Sequence, residues 1–252
     1  MTWLPSWGPA PRWATPRDLS RATYGPVVGR LCRKLTGHEL YPWQQHVLDV
    51  SLEVLPEGGW AYEEVLITVP RQSGKSFLFA PLVTHRMGRA DDRRGYITAQ
   101  DRDKAVSRWS AASTPITRVD SAVRKLVSTA HERTVWPNGS EFRPFAPKEG
   151  GIDGETPDLV IVDEQWAFDA LDQDLMENSY GPAVFMNPWG QLFKTSTAGT
   201  ERSSWLNADR ERGRLAAAEH SRTAFFEWSI PEQVDGKPVD VLEDRALVEL
   251  IL

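Results

Sequence analysis

Cysteine is nearly absent from this chain of 252 residues, which contains one, Cys32. A single cysteine excludes a disulfide framework and a cysteine-based zinc cluster, and it is typical of a reducing compartment. No apolar run approaches the roughly 20 residues that a membrane-spanning helix needs. The amino-terminal segment MTWLPSWGPAPRWATP also lacks the apolar core of a secretory signal. These absences predict a cytoplasmic protein that is not embedded in a membrane.

Excess positive charge is absent as well. Lys and Arg number 29 against 35 Asp and Glu, a formal net charge of -6, which excludes a general basic coat for nucleic acid but not a local basic channel. Two arginine clusters occur, and each either contacts DNA or forms an ordinary solvated helix face. They are Arg86, Arg89, Arg93 and Arg94, and Arg210, Arg212 and Arg214. The five histidines are scattered, and none is assigned to a metal.

Short apolar segments alternate with helical patterns along most of the chain. Strands are predicted at 64–69, 94–99, 159–162, 190–197 and 223–228, and helices at 18–35 with a break near 25–26, and at 42–49, 74–89, 101–112, 121–129, 171–180 and 203–219. Asn138-Gly139 between two strand-like pieces is typical of a β-hairpin. This alternation predicts an α/β fold in which a mostly parallel central sheet carries helices on both faces.

Three regions are expected along the chain. Residues 1–17 form an arm rich in proline and tryptophan, which either packs on the body or is a loosely ordered terminus. Residues 18–230 form the α/β domain, and residues 231–252 form a tail or the start of a linker.

A phosphate-binding loop is predicted after the strand at 64–69. The P-loop pattern G-x-x-x-x-G-K-[ST] is met except at its first position, where Val69 replaces glycine. Gly74 lets backbone amides approach a phosphate, Lys75 can reach the β- and γ-phosphates, and Ser76 can ligate Mg²⁺. The following helix adds a partial positive charge at its amino terminus. A plain helix start is the other interpretation of Gly-Lys-Ser, and the flanking strand and helix favour the P-loop.

Two further strand ends carry polar side chains. Asp163 follows the strand at 159–162 and can hold the Mg²⁺ shell, as in a Walker B strand. Glu164 is placed to orient or deprotonate an attacking water. Together with the P-loop, this pair predicts nucleotide hydrolysis, whereas alone it is often only a strand end that meets solvent. The hydroxyl residues 195–197 either lie beside the phosphates or cap their strand in a turn.

These segments, in this order, resemble the ATPase domain of the large terminase subunit of tailed bacteriophages. The similarity extends from about residue 40 to residue 228. The segments that carry it are Tyr41-Pro42-Trp43-Gln44, similar to the adenine-recognition segment; Val69–Ser76, with Arg71 and Gln72 where simpler P-loops have glycine; residues 96–100; Asp163-Glu164; and residues 195–199, similar to the coupling motif.

The resemblance implies a P-loop NTPase of the ASCE class, in which a further strand lies between the P-loop strand and the Walker B strand. It implies a motor that uses ATP and Mg²⁺ to pump double-stranded DNA into a procapsid in the cytoplasm of a bacterial host. The implied partners are double-stranded DNA, the portal protein and the small terminase subunit. The implied assembly is a homo-oligomeric ring, and a monomer in isolation is left open.

The same resemblance implies a role for each matching residue. The nucleotide would be bound by Gln44, at the base, and by Arg71, Gln72, Ser73, Gly74, Lys75 and Ser76. Ser76 and Asp163 would hold Mg²⁺, and Lys75, Arg71 and Glu164 would act in catalysis. Thr195, Ser196 and Thr197 would couple hydrolysis to movement.

Two departures limit what the resemblance implies. Family members usually carry a carboxyl-terminal nuclease domain, but this chain ends too soon after Gly199 to hold one, so nuclease activity is not expected of it. Members also supply an arginine finger to a neighbouring subunit from the loop before the Walker B strand. Residues 148–154 contain no arginine, which leaves Arg143 as the candidate; a solvated hairpin charge is its other interpretation.

Two other functions are consistent with the P-loop. A helicase-like DNA translocase would need a second motor domain, whose motifs do not follow Gly199. A non-hydrolysing nucleotide-binding module is favoured by Val69 alone and disfavoured by Glu164, because a decayed site does not need a carboxylate beside the metal.

Overall fold

The fold is built on a sheet of nine strands, seen in a computed structural model that describes residues 10–128, 131–147, 152, 154–219, 221–229, 233–234 and 237–238. The strands of this sheet are β1 (Trp13–Ala14), β2 (Glu64–Thr68), β3 (Arg94–Thr98), β4 (Arg124–Leu126), β5 (Arg133–Val135), β6 (Glu141–Pro144), β7 (Leu159–Asp163), β8 (Gln191–Ser196) and β9 (Thr223–Glu227). A separate hairpin contains β10 (Gln233–Val234) and β11 (Lys237–Pro238).

Six α-helices connect the strands of the described chain. They are α1 (Gly25–Thr36), α2 (Pro42–Ser51), α3 (Phe79–Gly88), α4 (Arg102–Val119), α5 (Ala170–Met186) and α6 (Ser204–Ala218). Short 3-10 turns lie at Lys75–Leu78 and Gln165–Ala167. None of these helices is long and apolar enough to cross a membrane.

The strand order is β1-β9-β2-β8-β7-β3-β6-β5-β4. The six strands from β9 to β6 run parallel, and antiparallel pairs lie at both edges. β8 lies between β2, which leads into the P-loop, and β7, which ends at Asp163. The expected α/β fold and the further strand of the ASCE class are therefore confirmed.

Alternate residues of the central strands pack against different helices. Leu159 and Ile161 of β7 belong to a core with residues of α1 to α4. Val160 and Val162 belong to a second core with Met176 of α5 and with residues of α6. Because successive side chains of a strand point to opposite faces, the sheet is covered by helices on both sides.

Two predicted helices are wrong in whole or in part. The segment predicted as a helix at 121–129 contains β4 instead, because its residues pair with β5 at the sheet edge and tertiary pairing overrides a local helical pattern. The helix predicted from residue 18 begins at Gly25, with Pro26 in its first turn, where proline is tolerated. The helix predicted at 101–112 extends to Val119.

The predicted hairpin is confirmed, because β5 and β6 pair antiparallel around Asn138-Gly139 and Gly139 has a positive φ of 79°. In the amino-terminal arm, β1 pairs with β9, Trp13 opposite Glu227. Residues 1–9 and most of 231–252 lie outside the described residues, so the three-region division stays a prediction.

Candidate active site

Many of the residues predicted to bind or hydrolyse the nucleotide line one cleft at the carboxyl ends of β2 and β7. The cleft has a volume of about 480 Å³ and is lined by the P-loop, by α4 and by the segment after β7. The lining includes residues 70–76 and Gln100, Lys104, Ser107, Arg108, Glu164, Trp166 and Thr197. Ligands of open parallel sheets bind at this edge.

The P-loop is held in shape by a buried glutamine. Gln44 of α2 is 1% exposed, and its Nε2 donates to the Gly74 carbonyl over 2.9 Å. Its Oε1 accepts from the Tyr41 amide over 2.8 Å, which caps α2. Gly74 has φ 86°, and a Cβ there would lie 3.1 Å from the Gln44 amide nitrogen, so glycine fits both the left-handed backbone and the close approach. The contact of Gln44 with a base stays a prediction.

The P-loop side chains divide into exposed and buried ones. Arg71, Gln72 and Ser76 are exposed beside the cleft, whereas Lys75 is buried. Lys75 Nζ lies 2.6 Å from Glu164 Oε1 and 3.2 Å from Asp163 Oδ1. The lysine thus bridges the P-loop to the carboxylates 88 and 89 positions further along the chain.

Asp163 is fully buried at the end of β7. Thr195 Oγ1 of the neighbouring β8 donates to Asp163 Oδ1 over 2.7 Å. On the other side, Arg108 Nε of α4 lies 2.6 Å from Asp163 Oδ2. Two cations therefore balance the charge of this carboxylate, as burial requires, although Oδ2 has no aligned hydrogen-bond donor among the described residues.

Glu164 directly follows the last residue of β7 and has a left-handed backbone conformation, with φ 58° and ψ 44°. Such strain in a residue other than glycine is concentrated at functional sites. The Trp166 indole donates to Glu164 Oε2 over 2.6 Å, and an Arg108 guanidinium nitrogen lies 3.3 Å from Oε1. Burial alone would raise the pKa of Glu164, but Lys75, Trp166 and Arg108 together lower it below its usual value. The carboxylate is therefore ionised at neutral pH.

The hydroxyls at the end of β8 reach the segment after β7. Ser196 Oγ accepts from the Trp166 amide over 3.1 Å and donates to the Thr197 carbonyl. Thr197 Oγ1 lines the cleft and has no hydrogen-bond partner among the described residues. Of the three hydroxyl residues only Thr197 lines the cleft, and a place beside the phosphates stays a prediction for all three.

The donor groups of the cleft fit a magnesium ion. Ser76 offers a hydroxyl and Asp163 a carboxylate, the hard oxygen ligands that Mg²⁺ prefers. Two buried acceptors in the cleft lining, Gln100 Oε1 and Thr197 Oγ1, lack partners within the described part of the chain, which is typical of a site that holds a polar ligand or water.

Comparison with known proteins identifies the fold. The sequence matches no family model and no curated protein. The large terminase of bacteriophage HK97 has a TM-score of 0.69 at 18% sequence identity, over 85% of this chain and 46% of the HK97 chain. The large terminase ATPase domain of a Thermus phage has a TM-score of 0.57 at 16% identity, over 77% of this chain and 83% of that domain. The fold is that of a large terminase ATPase domain. The resemblance drawn from the motifs is confirmed at that level, and this chain matches less than half the length of the HK97 protein.

Within the terminase fold, Arg143 is engaged in its own chain. It lies on β6 and forms an ion pair with Glu141, and it does not line the cleft. Residues 148–151 and 153 of the loop before β7 lie outside the described residues. A role for Arg143 in a neighbouring subunit therefore stays a prediction.

Three arginines of the two clusters pair with other residues of the chain. Arg86 is 2% exposed, donates to Gln191 Oε1 over 2.7 Å and stacks over Trp60 at 4.0 Å from the ring centre. Arg210 and Arg214 both bind Glu227. Burial excludes both sequence interpretations for Arg86, whereas DNA contact by Arg210 or Arg214 stays a prediction.

A second group of charged side chains surrounds Lys194 of β8. We call Lys194, Glu64, Glu177, Asp209 and Arg212 the Lys194 cluster. Lys194 of β8 is fully buried, and its Nζ lies 2.8–2.9 Å from carboxylate oxygens of Glu64, Glu177 and Asp209. Arg212 bridges Glu64 and Asp209. The three carboxylates are close enough to hold a metal ion, but the Lys194 ammonium already occupies the place between them.

Sequence reasoning missed Arg108 and Lys194. Arg108, with Lys75, Asp163 and Glu164, forms what we call the Lys75 cluster. A signal for Arg108 was present, because Lys104 and Arg108 are four residues apart on a predicted helix and so share one face. Nothing in the sequence around Lys194 indicates burial among three carboxylates.

Another cavity, of about 570 Å³, lies between α1 and α2. Its rim includes Arg33 and Glu39, which form an exposed ion pair with each other. No predicted phosphate or metal residue lines it, so the cleft at the P-loop is the candidate active site.

Proposed function

We propose that this chain is the ATP-hydrolysing motor domain of a viral DNA-packaging terminase. The observation that carries the proposal is the meeting of Lys75, Asp163 and Glu164 at one edge of a sheet whose P-loop and Walker B strands are separated by one strand. The structural similarity to two large terminases supports the choice of family.

The geometry suggests a division of labour for hydrolysis. Gly74 and its neighbours present backbone amides to the phosphates, and Lys75 exchanges its carboxylate partners for the β- and γ-phosphates. Ser76 and Asp163 would hold Mg²⁺, which neutralises charge on the phosphates when bound. Glu164, oriented by the Trp166 indole, accepts a proton from the attacking water.

The link to movement is proposed through β8. Thr195 donates to Asp163 and Ser196 accepts from the Trp166 amide. A movement of the segment after β7 on hydrolysis would therefore be transmitted to β8 through these hydrogen bonds. On this proposal the domain translocates double-stranded DNA, assembles as a ring on a portal protein with a small terminase subunit, and works in the cytoplasm of the bacterial host. Nuclease activity is not assigned to this chain.

The two alternatives are less well supported. A non-hydrolysing module has no need of a strained glutamate held beside Lys75. A helicase-like translocase shares the P-loop class, and DNA dependence separates it from a packaging motor. Stimulation of ATP hydrolysis by double-stranded rather than single-stranded DNA would support packaging, and the reverse preference would support a helicase.

The first test is Mg-ATP binding by calorimetry, followed by turnover with double-stranded DNA present. We expect Lys75→Ala to weaken ATP binding, because the β- and γ-phosphates lose their cation. We expect Glu164→Gln to bind ATP but to hydrolyse it about 10²- to 10⁴-fold more slowly, the usual contribution of a general base. Glu39→Gln, which removes an exposed carboxylate outside the cleft, is the matched control. Near-normal turnover in Glu164→Gln would sink the catalytic assignment.

A further inference from the structure

Arg108 belongs to none of the motifs, yet it contacts both carboxylates of the site. From α4, its Nε lies 2.6 Å from Asp163 Oδ2 and a terminal nitrogen lies 3.3 Å from Glu164 Oε1. Its side chain is 34% exposed, and it lines the cleft together with Lys104 one turn earlier. The guanidinium thus contacts the two carboxylates on one side, and its other side faces the cleft in which a nucleotide would lie.

Charge balance indicates that a bound nucleotide would change the partners of both cations. Lys75 and Arg108 together neutralise Asp163 and Glu164. A Mg²⁺ ion held by Asp163 would compete directly with Arg108 for that carboxylate, because both need its oxygens. A Mg-bound nucleoside triphosphate is still a net anion, so it offers both cations new partners.

We propose that Arg108 is a phosphate-binding residue of the same chain, which exchanges its contacts with Asp163 and Glu164 for the terminal phosphate of a Mg-bound nucleoside triphosphate. The inference rests on the proposed function. Arginine suits this role because its planar fork can bind a phosphate through two nitrogens.

Arg108 is assigned to the terminal phosphate, rather than to an inner one, because of its position beside Glu164. Arg108 lies against Glu164, the group assigned to the attacking water, and that water must lie next to the phosphate that is cleaved. The inner phosphates would instead be bound by the P-loop amides. Arg108 would thus supply, from within the chain, a charge on the transferred phosphate for which Arg143 is the candidate from a neighbour.

The test compares diphosphate with triphosphate binding. Calorimetry with Mg²⁺ measures the affinities of wild type, Arg108→Gln and Arg102→Gln for ADP and for a non-hydrolysable ATP analogue. Arg102 is the matched control because it lies on the same helix, pairs with Glu132 at 2.6 Å and does not line the cleft. We expect Arg108→Gln to lose about tenfold or more in affinity for the analogue, the value of a charge-assisted hydrogen bond, and far less for ADP. Arg102→Gln should bind both as wild type does.

Three results would overturn the inference. Equal losses for ADP and the analogue, or unchanged binding of both, would show that Arg108 acts only as a structural ion pair. Binding of neither nucleotide by wild type would contradict the proposed function itself, and the inference with it. Thermal unfolding without nucleotide or Mg²⁺ monitors the fold, and Arg108→Lys replaces the glutamine variant if that variant is unfolded. The lysine variant keeps the charge but loses the fork, so the preference for the analogue should fall less steeply.

Discussion

The Lys75 cluster and the Lys194 cluster are built from the same parts but differ in one respect. Each has a lysine among carboxylates, with an arginine at its side. Lys194 is fully buried and contacts three carboxylates, whereas Lys75 lines a cleft of about 480 Å³. One lysine is sealed within the protein and the other is open to a ligand.

The difference shows how a binding site can be told from a structural charge cluster. The cleft beside Lys75 contains two buried acceptors that find no partner among the described residues, and a glutamate in strained backbone. Lys194 has an anion on each side within 2.9 Å, so it has no need of a ligand. Proximity of carboxylates alone does not distinguish the two, because the Lys194 cluster satisfies the geometry of a metal site.

The largest expected effect on stability comes from removing the sealed lysine. Burial lowers the pKa of Lys194, but Glu64, Asp209 and Glu177 outweigh burial and raise it, so the side chain is charged. Lys194→Met removes the cation that Glu64, Glu177 and Asp209 share, and Arg212 still pairs with only two of them, so the free energy of unfolding should fall by about 3–5 kcal/mol. Lys75→Met is the matched variant. An arginine remains beside the carboxylates in both variants, but the cleft admits water to those of Lys75, so its loss should be nearer about 1 kcal/mol.

Urea unfolding at pH 7 measures both variants. A smaller loss for Lys194→Met than for Lys75→Met would contradict the comparison, because it would mean that the open site contributes more to folding than the sealed one. ATP binding should separate them in the opposite order, with Lys75→Met the more damaging change.

An intermediate effect on the free energy of unfolding is expected at low pH, and it comes from Glu64. Burial alone would raise the pKa of Glu64, but Lys194 and Arg212 outweigh it, so the pKa in the folded protein lies below its usual value. A lowered folded pKa gives stability that is present above the unfolded value of about 4.3 and is lost as the pH falls from there through the folded value of about 2. Each unit of pKa shift corresponds to about 1.4 kcal/mol.

Glu64→Gln should therefore be less stable than wild type at pH 7 and should lose less stability between pH 5 and pH 3. Urea unfolding across this range gives the two slopes. Glu39→Gln, which changes an exposed carboxylate outside the cluster, is the control. Parallel slopes for wild type and Glu64→Gln would show that the ion pairs of Glu64 do not contribute to acid stability.

Much of the fold and the central part of the site could be predicted from the sequence. β2 and β7 are short, fully buried strands with runs of three or four apolar residues, which the sequence shows directly. Asp163 and Glu164 follow such a run directly, and parallel strands bring their ends to one edge. At these positions the local sequence pattern agrees with the tertiary structure, so the place of Asp163 and Glu164 after a strand predicts their place at the edge of the sheet.

The rest depends on contacts that no local pattern records. The segment containing β4 has a helical pattern, but pairing with β5 makes it a strand. Lys194 lies inside the buried strand β8, where only the packing of α5 and α6 shows that carboxylates surround it. Arg108 is one of many arginines on predicted helices, and the register of α4 against β7 decides that it reaches Asp163.

The smallest effect is expected from an ion pair outside both clusters, and it calibrates the comparison. Arg33 and Glu39 lie 3.0 Å apart with 71% and 76% of their side chains exposed. Water screens this pair and its long side chains lose entropy when they pair, so Arg33→Gln should change the free energy of unfolding by about 0.5 kcal/mol or less. Urea unfolding at low and high salt should give nearly the same value. A loss of several kcal/mol would mean that burial does not distinguish these ion pairs, and the contrast between Lys194 and Lys75 would then need another cause.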